Sequence, residues 1–338
     1  MSSVPTRAAP RLVVTRTPLR ISFAGGGTDL AAFYDQGYGA VLSAAIDRYI
    51  YVTVKRHGEV FNERIRVNYS KSETVQTIDE IENNIARECL RFLEIEPPIY
   101  ISTVGDLPAS TGLGGSSSFA VGLLNALHAL RGERVSAGQL AEEASYIEID
   151  VLKEPIGKQD QYAAAFGGLN YFCFKAGGSV TVEPQRMANG TLQRLFSQLM
   201  MFWTGHQRDT GAVLTEQKAN TPHKMDALLR MREQATQLQD VLRANAGDTK
   251  AFGQILDEGW CLKRGLASLI TTSEIDVWYQ RARDAGAYGG KLCGAGGGGF
   301  LLFVVPAERQ DAVRQALSPL REVPIAAEAH GSQILLWE

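Results

Sequence analysis

Apolar and β-branched residues fill the first sixty positions in short runs that predict strands. The segments LVVTRT and LRISF follow Leu12, and AVLSAAI and YIYVTV come after a run of glycines. Residues 79–95 instead carry apolar side chains at helical spacing, and IYISTV at 99–104 again has the composition of a strand. The chain therefore begins as sheet, interrupted by one helix.

A strand, a loop rich in glycine and serine, and a buried helix follow one another in the middle of the chain. The loop GDLPASTGLGGSSS precedes FAVGLLNALHAL, which is apolar and contains no helix breaker. Ser136 and Gln139 form the pattern of a capping box, which predicts a helix that continues to about Leu152. The segments LNYFCF and VTVEP then predict a hairpin over 169–184.

The pattern changes near residue 190. The segment LMMFW predicts a strand, which is followed by a long helical stretch over 212–244, a helix near 274–285, the strand FLLFVV and a final strand near ILLW. Because helices and strands alternate without a sustained βαβ rhythm, we predict an α+β fold rather than a doubly wound sheet. We expect a loose tail over residues 1–10, an N-terminal domain over 11–190 and a C-terminal domain over 191–338.

Charge and composition exclude several classes of protein. The chain has 34 Lys and Arg against 37 Asp and Glu, a net charge of −3 that gives no electrostatic footprint for nucleic acid. The longest apolar run is far shorter than the roughly 20 residues that span a bilayer. The four cysteines lie far apart and form no CxxC pair. We therefore expect a cytoplasmic protein without nucleic-acid or membrane partners, and we leave open whether it forms a homo-oligomer.

Glycine is concentrated in three clusters, the second of which opens the predicted buried helix. Gly112, Gly114 and Gly115 precede three serines, and a bare backbone at a helix N-terminus suits a phosphate group. An ordinary flexible turn with a serine N-cap is the alternative for this segment. The sequence lacks GxxxxGK[ST], so a Walker-type P-loop is excluded.

The third cluster matches a dinucleotide fingerprint in letters but not in context. Gly294, Gly296 and Gly299 fit GxGxxG, yet a strand follows them directly where the fingerprint would open a helix. A tight turn between a helix and a strand explains these glycines equally well.

The first cluster ends a predicted strand and is followed by an acid. Gly25, Gly26 and Gly27 precede Thr28 and Asp29. A carboxylate in this position suits a pair of sugar hydroxyls, although an Asx turn that closes the strand is an equal alternative.

Four segments, taken in order, resemble the motifs of the GHMP kinases, the superfamily of galactokinase, homoserine kinase, mevalonate kinase and phosphomevalonate kinase. They are TPLRISFAGGGTDL, GDLPASTGLGGSSS, GKQDQYAAAFGG and KLCGAGGGGF, and the resemblance spans residues from about 12 to 304. The first motif is most similar to that of bacterial D-glycero-D-manno-heptose 7-phosphate kinases, and the kinase part of L-fucokinase is a more distant relative. The resemblance implies an N-terminal domain like ribosomal protein S5 domain 2 and a ferredoxin-like C-terminal domain.

The resemblance also implies which residues bind ATP and Mg²⁺. In the family, the second motif surrounds the ATP phosphates, which places nucleotide binding on Gly112, Leu113, Gly114, Gly115, Ser116 and Ser117. It places Mg²⁺ on Ser116 and Glu148, and so few protein ligands are reasonable because Mg²⁺ keeps several waters and binds phosphate oxygens. Considered alone, Glu148 has the pattern of a solvated helix glutamate. Gly115 replaces the first Ser of the common GLGSS, which removes one hydroxyl.

The family's catalytic Asp corresponds to Asp160 and its basic partner to Arg20. Asp160 would orient the acceptor hydroxyl and take its proton late, since phosphoryl transfer demands positioning more than early proton removal. Arg20 and Lys158 would offset charge on the transferred group. Without the resemblance, Asp160 is typical of a helix N-cap.

The motifs also imply which residues form the substrate pocket. Galactokinases carry Glu and His where this chain has Gly26 and Gly27, which disfavours galactose and widens the mouth of the pocket for a seven-carbon sugar. His206 and Arg208 would hold the distal phosphate, although Arg208 could instead form a surface salt bridge with Asp209. The full set of expected substrate-binding residues is Gly25, Gly26, Gly27, Thr28, Asp29, His206, Arg208, Gly296 and Gly297.

The expected reaction is ATP- and Mg²⁺-dependent phosphorylation of the anomeric hydroxyl of D-glycero-D-manno-heptose 7-phosphate, which gives the 1,7-bisphosphate. By resemblance, this product leads to nucleotide-activated heptose for surface polysaccharide. One alternative is a 1-kinase of a neutral sugar such as L-fucose. A second is a non-catalytic nucleotide sensor on the same fold, against which the presence of Ser116, Glu148 and Asp160 together argues.

Overall fold

Two β-sheets with helices packed against them form the fold, which confirms the predicted α+β class. The structure, a computed structural model, describes residues 10–58, 60–187, 190–207, 210–244 and 248–338. Within these ranges, the larger sheet has eight strands and the smaller sheet has four.

The larger sheet consists of β1 (Leu12–Ala24), β2 (Tyr38–Arg56), β3 (Ile65–Asn68), β4 (Ser72–Val75), β5 (Ile99–Gly105), β6 (Leu169–Lys175), β7 (Val180–Pro184) and β12 (Gln333–Trp337). The smaller sheet consists of β8 (Leu199–Trp203), β9 (Gly289–Leu292), β10 (Phe300–Val304) and β11 (Arg321–Glu322). The helices that lie among these strands are α1 (Ala31–Tyr34), α2 (Asn84–Phe92), α3 (Gly115–Leu130), α4 (Ala137–Ser145), α5 (Gln159–Phe166), α6 (Thr191–Ser197), α7 (Thr210–Asn220), α8 (Met225–Ala244), α9 (Thr249–Arg264), α10 (Ser273–Asp284) and α11 (Gln310–Ala316).

The two strands predicted before the first glycine cluster are one continuous strand, and so are the two predicted after it. β1 and β2 pair antiparallel over almost their whole length. β2 is long enough to pair with β6 along residues 38–44 and with β5 along residues 50–56. The larger sheet is therefore built around this one strand.

α3 is the central helix of the N-terminal half. Almost every residue from Ser117 to Leu130 is buried, as expected for a helix that is apolar on all sides. It packs against β1 and β2 on one side and against α4 and α5 on another. The Arg20 N–H donates to the Leu113 carbonyl oxygen at 3.0 Å, so the N-terminus of α3 lies beside β1.

The smaller sheet has the ferredoxin-like order β11-β8-β10-β9, which agrees with the fold expected from the resemblance. Trp260, Tyr279 and Phe303 lie in the apolar core between this sheet and its helices. β9, which has no exposed residue, packs against α9.

The last strand of the chain returns to the larger sheet. β12 pairs antiparallel with β1, so that Val13 lies opposite Trp337. The division into domains at residue 190 stays a prediction, but these C-terminal residues belong to the first sheet.

One predicted helix begins later than expected. The helix predicted over 79–95 starts only at Asn84, because the Glu73 carboxylate accepts hydrogen bonds from the backbone N–H groups of Glu82 at 2.6 Å and Asn83 at 3.0 Å. These bonds hold the preceding residues in a different conformation.

The helical stretch after β8 is divided, and the helix that follows it was not predicted. The stretch over 212–244 forms α7 and α8, separated by a 3₁₀ turn at Thr221–His223 that contains Pro222. The sequence reading did not include α9, which Asp248 caps by accepting a hydrogen bond from the Ala251 N–H at 3.0 Å.

The described part of the chain contains no helix that is both long and apolar enough to cross a membrane. Its four cysteines, Cys89, Cys173, Cys261 and Cys293, are free thiols.

Candidate active site

The glycine loop before α3 presents a bare helix N-terminus. Gly114 occupies the N-cap position with φ of 78°, and Gly112 has φ of 80°. Both values lie in the left-handed region that favours glycine. A Cβ placed on Gly115 would meet no atom within 4 Å, so space is open beside the first turn. The unpaired N–H groups of this turn provide a site for an anion.

An arginine and an aspartate meet directly beside this loop. Arg20, in the buried part of β1, donates from Nε to Oδ1 of Asp160 at 2.8 Å and from Nη2 to Oδ2 at 2.7 Å. Its Nη1 also donates to the Gly112 carbonyl oxygen at 2.8 Å. A Cβ on Gly114 would lie 3.4 Å from the Asp160 carboxylate. The loop, the guanidinium and the carboxylate therefore form one constellation.

Glu148 lies near the first turn of α3, and it belongs to an irregular segment of the chain. The chain from Tyr146 to Val151 forms a π-helix, a conformation often found at functional sites. The Glu148 side chain is almost fully buried and accepts a hydrogen bond from Gln161 Nε2 at 2.6 Å. Burial is the largest influence on this carboxyl and raises its pKa to about 7, against the lowering effect of the Ser117, Gln161 and Ser116 groups.

The serines that open α3 differ in their partners. Ser118 Oγ donates to the Pro18 carbonyl oxygen at 2.8 Å and so has a structural role. Ser117 Oγ is buried near Glu148 and has no hydrogen-bond partner of good geometry among the described residues. A buried carboxylate with hydroxyl groups beside it is a set of hard oxygen donors, the type that Mg²⁺ prefers. These residues therefore fit a Mg²⁺ ion shared with phosphate oxygens.

The first glycine cluster holds a buried aspartate. Oδ1 of Asp29 accepts from the Gly27 N–H at 2.9 Å, and a Cβ on Gly157 would collide with Oδ2. Burial, followed by the nearby charge of Asp160, raises the pKa of Asp29. The Thr28 hydroxyl donates to the carbonyl oxygens of residues 25 and 40, at 2.8 and 2.9 Å. Thr28 therefore supports the loop from within the protein, whereas Asp29 borders a cleft.

Residues of the first and third glycine clusters line a cleft together with Arg20 and Asp160. Two buried polar atoms near it, Ser22 Oγ and Gln159 Oε1, have no hydrogen-bond partner within the described ranges. Unpaired buried polar atoms are costly, and a ligand rich in hydroxyl groups would satisfy them. The residues that line the cleft are Arg20, Ser22, Gly26, Gly27, Asp29, Leu30, Ile156, Gly157, Gln159, Asp160, Leu214, Gln217, Lys263, Lys291, Gly294 and Ala295.

Two of these residues, Lys263 and Lys291, were missed by sequence reasoning. Each side chain is only 6% exposed. The signal for Lys263 lay in α9, where Phe252, Leu256, Trp260 and Lys263 follow one another at helical spacing, so that the lysine occupies the apolar face. Lys291 belongs to β9, between other buried residues.

The third glycine cluster packs against the backbone of the glycine loop that precedes α3. A Cβ on Gly294 would lie 2.3 Å from Gly112 Cα, and one on Gly299 would lie 2.3 Å from the Thr111 carbonyl oxygen. Gly296 and Gly297, expected to bind substrate, instead contact Ile270, with the Gly297 N–H donating to its carbonyl oxygen at 2.8 Å. Neither of these two residues lines the cleft.

Comparison with known protein families supports the same reading of the fold and the motifs. The profile described as "GHMP kinases N terminal domain" matches residues 65–168, and the profile described as "GHMP kinases C terminal" matches residues 237–322. The chain belongs to the GHMP kinases. It is therefore a phosphotransferase, as the sequence motifs predicted.

Individual GHMP kinases are similar to this chain over most of its length. The D-glycero-alpha-D-manno-heptose 7-phosphate kinase of Campylobacter jejuni is 30% identical over 307 residues, which cover 87% of this chain and 90% of that protein. The crystal structure of a D-glycero-D-manno-heptose 1-phosphate kinase from Bacteroides thetaiotaomicron superimposes with a TM-score of 0.79 at 28% identity and covers 96% of this chain and 99% of that one. The L-fucokinase/L-fucose-1-P guanylyltransferase of Bacteroides fragilis is 23% identical over 90% of this chain but only 35% of its own length.

Several residues expected at the site of this GHMP kinase lie elsewhere. The Lys158 ammonium donates to Glu142 Oε2 and to the Gly178 carbonyl oxygen, both at 2.9 Å, and does not line the cleft. The His206 imidazole pairs with Glu274 at 2.9 Å on the protein surface. Arg208 lies outside the described residues. The structure thus brings Arg20, Asp160 and the phosphate loop together, whereas the described His206 does not line the cleft.

Proposed function

We propose that this GHMP kinase transfers the γ-phosphoryl group of ATP to the anomeric hydroxyl of D-glycero-D-manno-heptose 7-phosphate. The observation that carries the proposal is the bidentate pair of Arg20 and Asp160 beside the bare N-terminus of α3. A phosphoryl donor and an acceptor hydroxyl both need to reach this point. In the cell, the product would serve cytoplasmic synthesis of nucleotide-activated heptose.

The residues of this site have separate roles in phosphoryl transfer. The N–H groups at the start of α3 and the glycine loop bind the phosphates, and Arg20 stabilises charge on the transferred group. Because Arg20 contacts both Asp160 oxygens, it also fixes the orientation of the carboxylate. Asp160 accepts the hydrogen bond of the C1 hydroxyl and takes its proton as the new P–O bond forms.

Glu148 and the adjacent serines would hold Mg²⁺. When bound there, the ion would supply positive charge that neutralises the charge developing on the phosphate group. The Gln161 amide orients the Glu148 carboxylate through the bond at 2.6 Å. Ser116 and Ser117 supply the neighbouring hydroxyl oxygens.

The chemistry of the cleft supports a sugar as the acceptor. Asp29, Ser22 Oγ, Gln159 Oε1 and Gln217 border the space in front of Asp160 and offer hydrogen bonds to several hydroxyl groups. The two heptose kinases similar to this chain bear names that differ in the position of the phosphate on their substrate, 7 in one and 1 in the other. The motif resemblance favours the 7-phosphate.

A panel of acceptors tests the substrate assignment. Release of ADP is measured with heptose 7-phosphate, heptose 1-phosphate, unphosphorylated heptose and L-fucose, and ³¹P NMR identifies the phosphorylated position. We expect the highest kcat/KM with heptose 7-phosphate and a 1,7-bisphosphate product. Equal turnover of phosphorylated and unphosphorylated sugars would support the neutral-sugar 1-kinase instead. Nucleotide binding without turnover of any sugar would support the sensor.

Replacement of Asp160 tests the mechanism. Asp160→Ala should lower kcat by about 10²–10⁴ and leave ATP affinity nearly unchanged, which is the usual scale for a positioned acid–base group. Glu148→Ala provides the contrast, since it should raise the Mg²⁺ concentration needed for half-maximal activity. Equal loss of ATP binding in both variants would show that the two carboxylates do not have separate roles.

A further inference from the structure

Lys263 carries a buried positive charge into the cleft. It lies near the C-terminus of α9, and its ammonium group donates to the Gly294 carbonyl oxygen. No carboxylate lies within 4.0 Å of this ammonium in the part of the chain that the structure describes. A buried charge without a counterion is costly, so its position demands an explanation.

The second buried lysine differs from Lys263 in its hydrogen bonds. Lys291 donates to the carbonyl oxygens of Ser22 at 2.7 Å and Phe23 at 3.2 Å, and so connects β9 to the end of β1. Lys263 has three N–H donors and, among the described residues, one hydrogen bond, to Gly294. Lys291 therefore has structural partners in β1, while Lys263 has spare donors at the lining of the cleft.

The surroundings of Lys263 connect it to the phosphate loop. The Gly294 backbone, to which its ammonium donates, packs against Gly112, whose carbonyl oxygen accepts a hydrogen bond from Arg20. The ammonium and the guanidinium are thus held by two adjoining glycine residues. Asp160 and Asp29 are also close enough to influence the charge of Lys263.

We propose that Lys263 binds phosphate oxygens in the reacting complex, as a second cation that acts together with Arg20. The inference rests on the proposed kinase function and assigns a contact that the sequence motifs did not provide. Burial, the largest influence, lowers the pKa of Lys263 to about 8. The group is therefore still mostly protonated at neutral pH, and an anion in the cleft would favour its charged form.

The phosphate oxygens have two possible sources, which kinetics separates. If Lys263 contacts the phosphoryl group in transfer, its loss lowers kcat equally for phosphorylated and unphosphorylated heptose. If it contacts the sugar's own phosphate, its loss raises KM for the phosphorylated sugar alone, because that contact is equal in the ground and transition states. Both results support the proposal.

The experiment compares Lys263→Met with Lys263→Arg and with Lys250→Met. Lys250 is an exposed lysine on the same helix and lies outside the cleft, so its variant controls for loss of a charge. We expect Lys263→Met to lower kcat/KM about 10–150-fold, the range for one charge-assisted hydrogen bond. Lys263→Arg should recover part of this loss, and Lys250→Met should behave like the wild type.

A folded Lys263→Met variant with wild-type kcat and KM for every acceptor and for ATP would overturn the proposal. Thermal unfolding shows whether the variant is folded. If it is not, Lys263→Gln, which keeps a donor without the charge, takes its place in the same comparison. The acceptor panel on the wild type tests the substrate assignment separately. Were another sugar the true substrate, the Lys263 variants would be compared on that sugar.

Discussion

The glycine loop before α3 and the glycine loop between β9 and β10 have similar compositions, but they differ in how closely other atoms approach their glycines. In the first loop, a Cβ on Gly115 would meet nothing within 4 Å, and one on Gly114 would meet only side chains at 3.3–3.4 Å. In the second loop, a Cβ on Gly294 or Gly299 would lie 2.3 Å from backbone atoms. In the first loop, Gly114 and Gly115 border side chains or open space, and only Gly112 packs against the other loop, where a Cβ would lie 2.7 Å from the Cys293 carbonyl oxygen. In the second loop, Gly294 and Gly299 have no Cβ because another backbone occupies that space.

The difference shows that glycine serves two purposes at this site. The first loop leaves room for a ligand, and the second allows two chain segments to approach closely enough to bring Lys263 and Lys291 beside Arg20. A bulky substitution at Gly114 should therefore affect ATP binding, and a substitution at Gly294 or Gly299 should affect stability.

The largest effect is expected for Gly294→Ala. Its Cβ would overlap Gly112 at 2.3 Å, and its φ of 71° is strained for any other residue. We expect a loss of about 2–5 kcal/mol in the free energy of unfolding, measured by urea titration, together with loss of activity. Gly177→Ala is the matched control, since Gly177 has φ of 81° and nothing within 4 Å. Its cost should be about 1–2 kcal/mol. Equal losses in the two variants would show that the close approach is unimportant.

Gly114→Val should separate binding from stability. The branched side chain would press on Arg20 and Asp160 at the phosphate loop, so ATP affinity should fall by about 100-fold or more while the fold persists. Gly132→Val is the control at the other end of α3, where φ is 80° and the space is open. It should lose similar stability and retain ATP affinity, as measured by nucleotide titration. Unchanged affinity in folded Gly114→Val would remove this loop from the active site.

Lys291→Met should change how stability depends on pH. Burial and the charge of Lys263 lower the pKa of Lys291 from 10.5 to about 7. Between these values the unfolded chain binds more protons, so the stability of the wild type relative to the variant should rise with pH. We expect a relative gain of about 1–3 kcal/mol between pH 7.5 and pH 9.5 in urea titrations. Lys250→Met should show no such change. If the free energies of unfolding of the wild type and Lys291→Met changed with pH in the same way, the lowered pKa of Lys291 would be contradicted.

The smallest effect is expected for Gly115→Ala. The added methyl group enters open space in the first turn of α3, and Ala favours the helix by about 0.5–1 kcal/mol over Gly. The melting temperature should rise, and the KM for ATP should change little, because the common family motif carries the larger Ser there. A large rise in that KM would place the phosphates closer to this position than the open space indicates.

The sequence predicted those parts of the site that lie in continuous motifs. The strand of Arg20, the loop over residues 112–117 and the helix after it could be identified from glycine spacing and from hydrophobic pattern. The contact between Arg20 and Asp160 spans 140 positions, and only the family resemblance indicated it. Local patterns carry no information about such a separation.

The site residues that were not predicted from local patterns are charged side chains that the fold buries. A lysine is usually solvated, so Lys263 and Lys291 were not predicted to be buried residues of the cleft. Glu148 alone has the pattern of a surface helix, and no signal in the sequence predicts the π-helix that surrounds it. The three glycine clusters could be identified in the sequence, but the reason for each glycine depends on which atoms lie opposite it.

The pairing of β12 with β1 has a consequence for how this protein folds during its synthesis on the ribosome. Arg16 and its partner Gln333 are 317 positions apart, so one edge of β1 has no partner until nearly the whole chain has been made. At about 5–20 residues per second, the delay is on the order of 15–60 s. During that interval the nascent sheet presents an unpaired edge, the kind of surface that recruits chaperones or joins a neighbouring nascent chain.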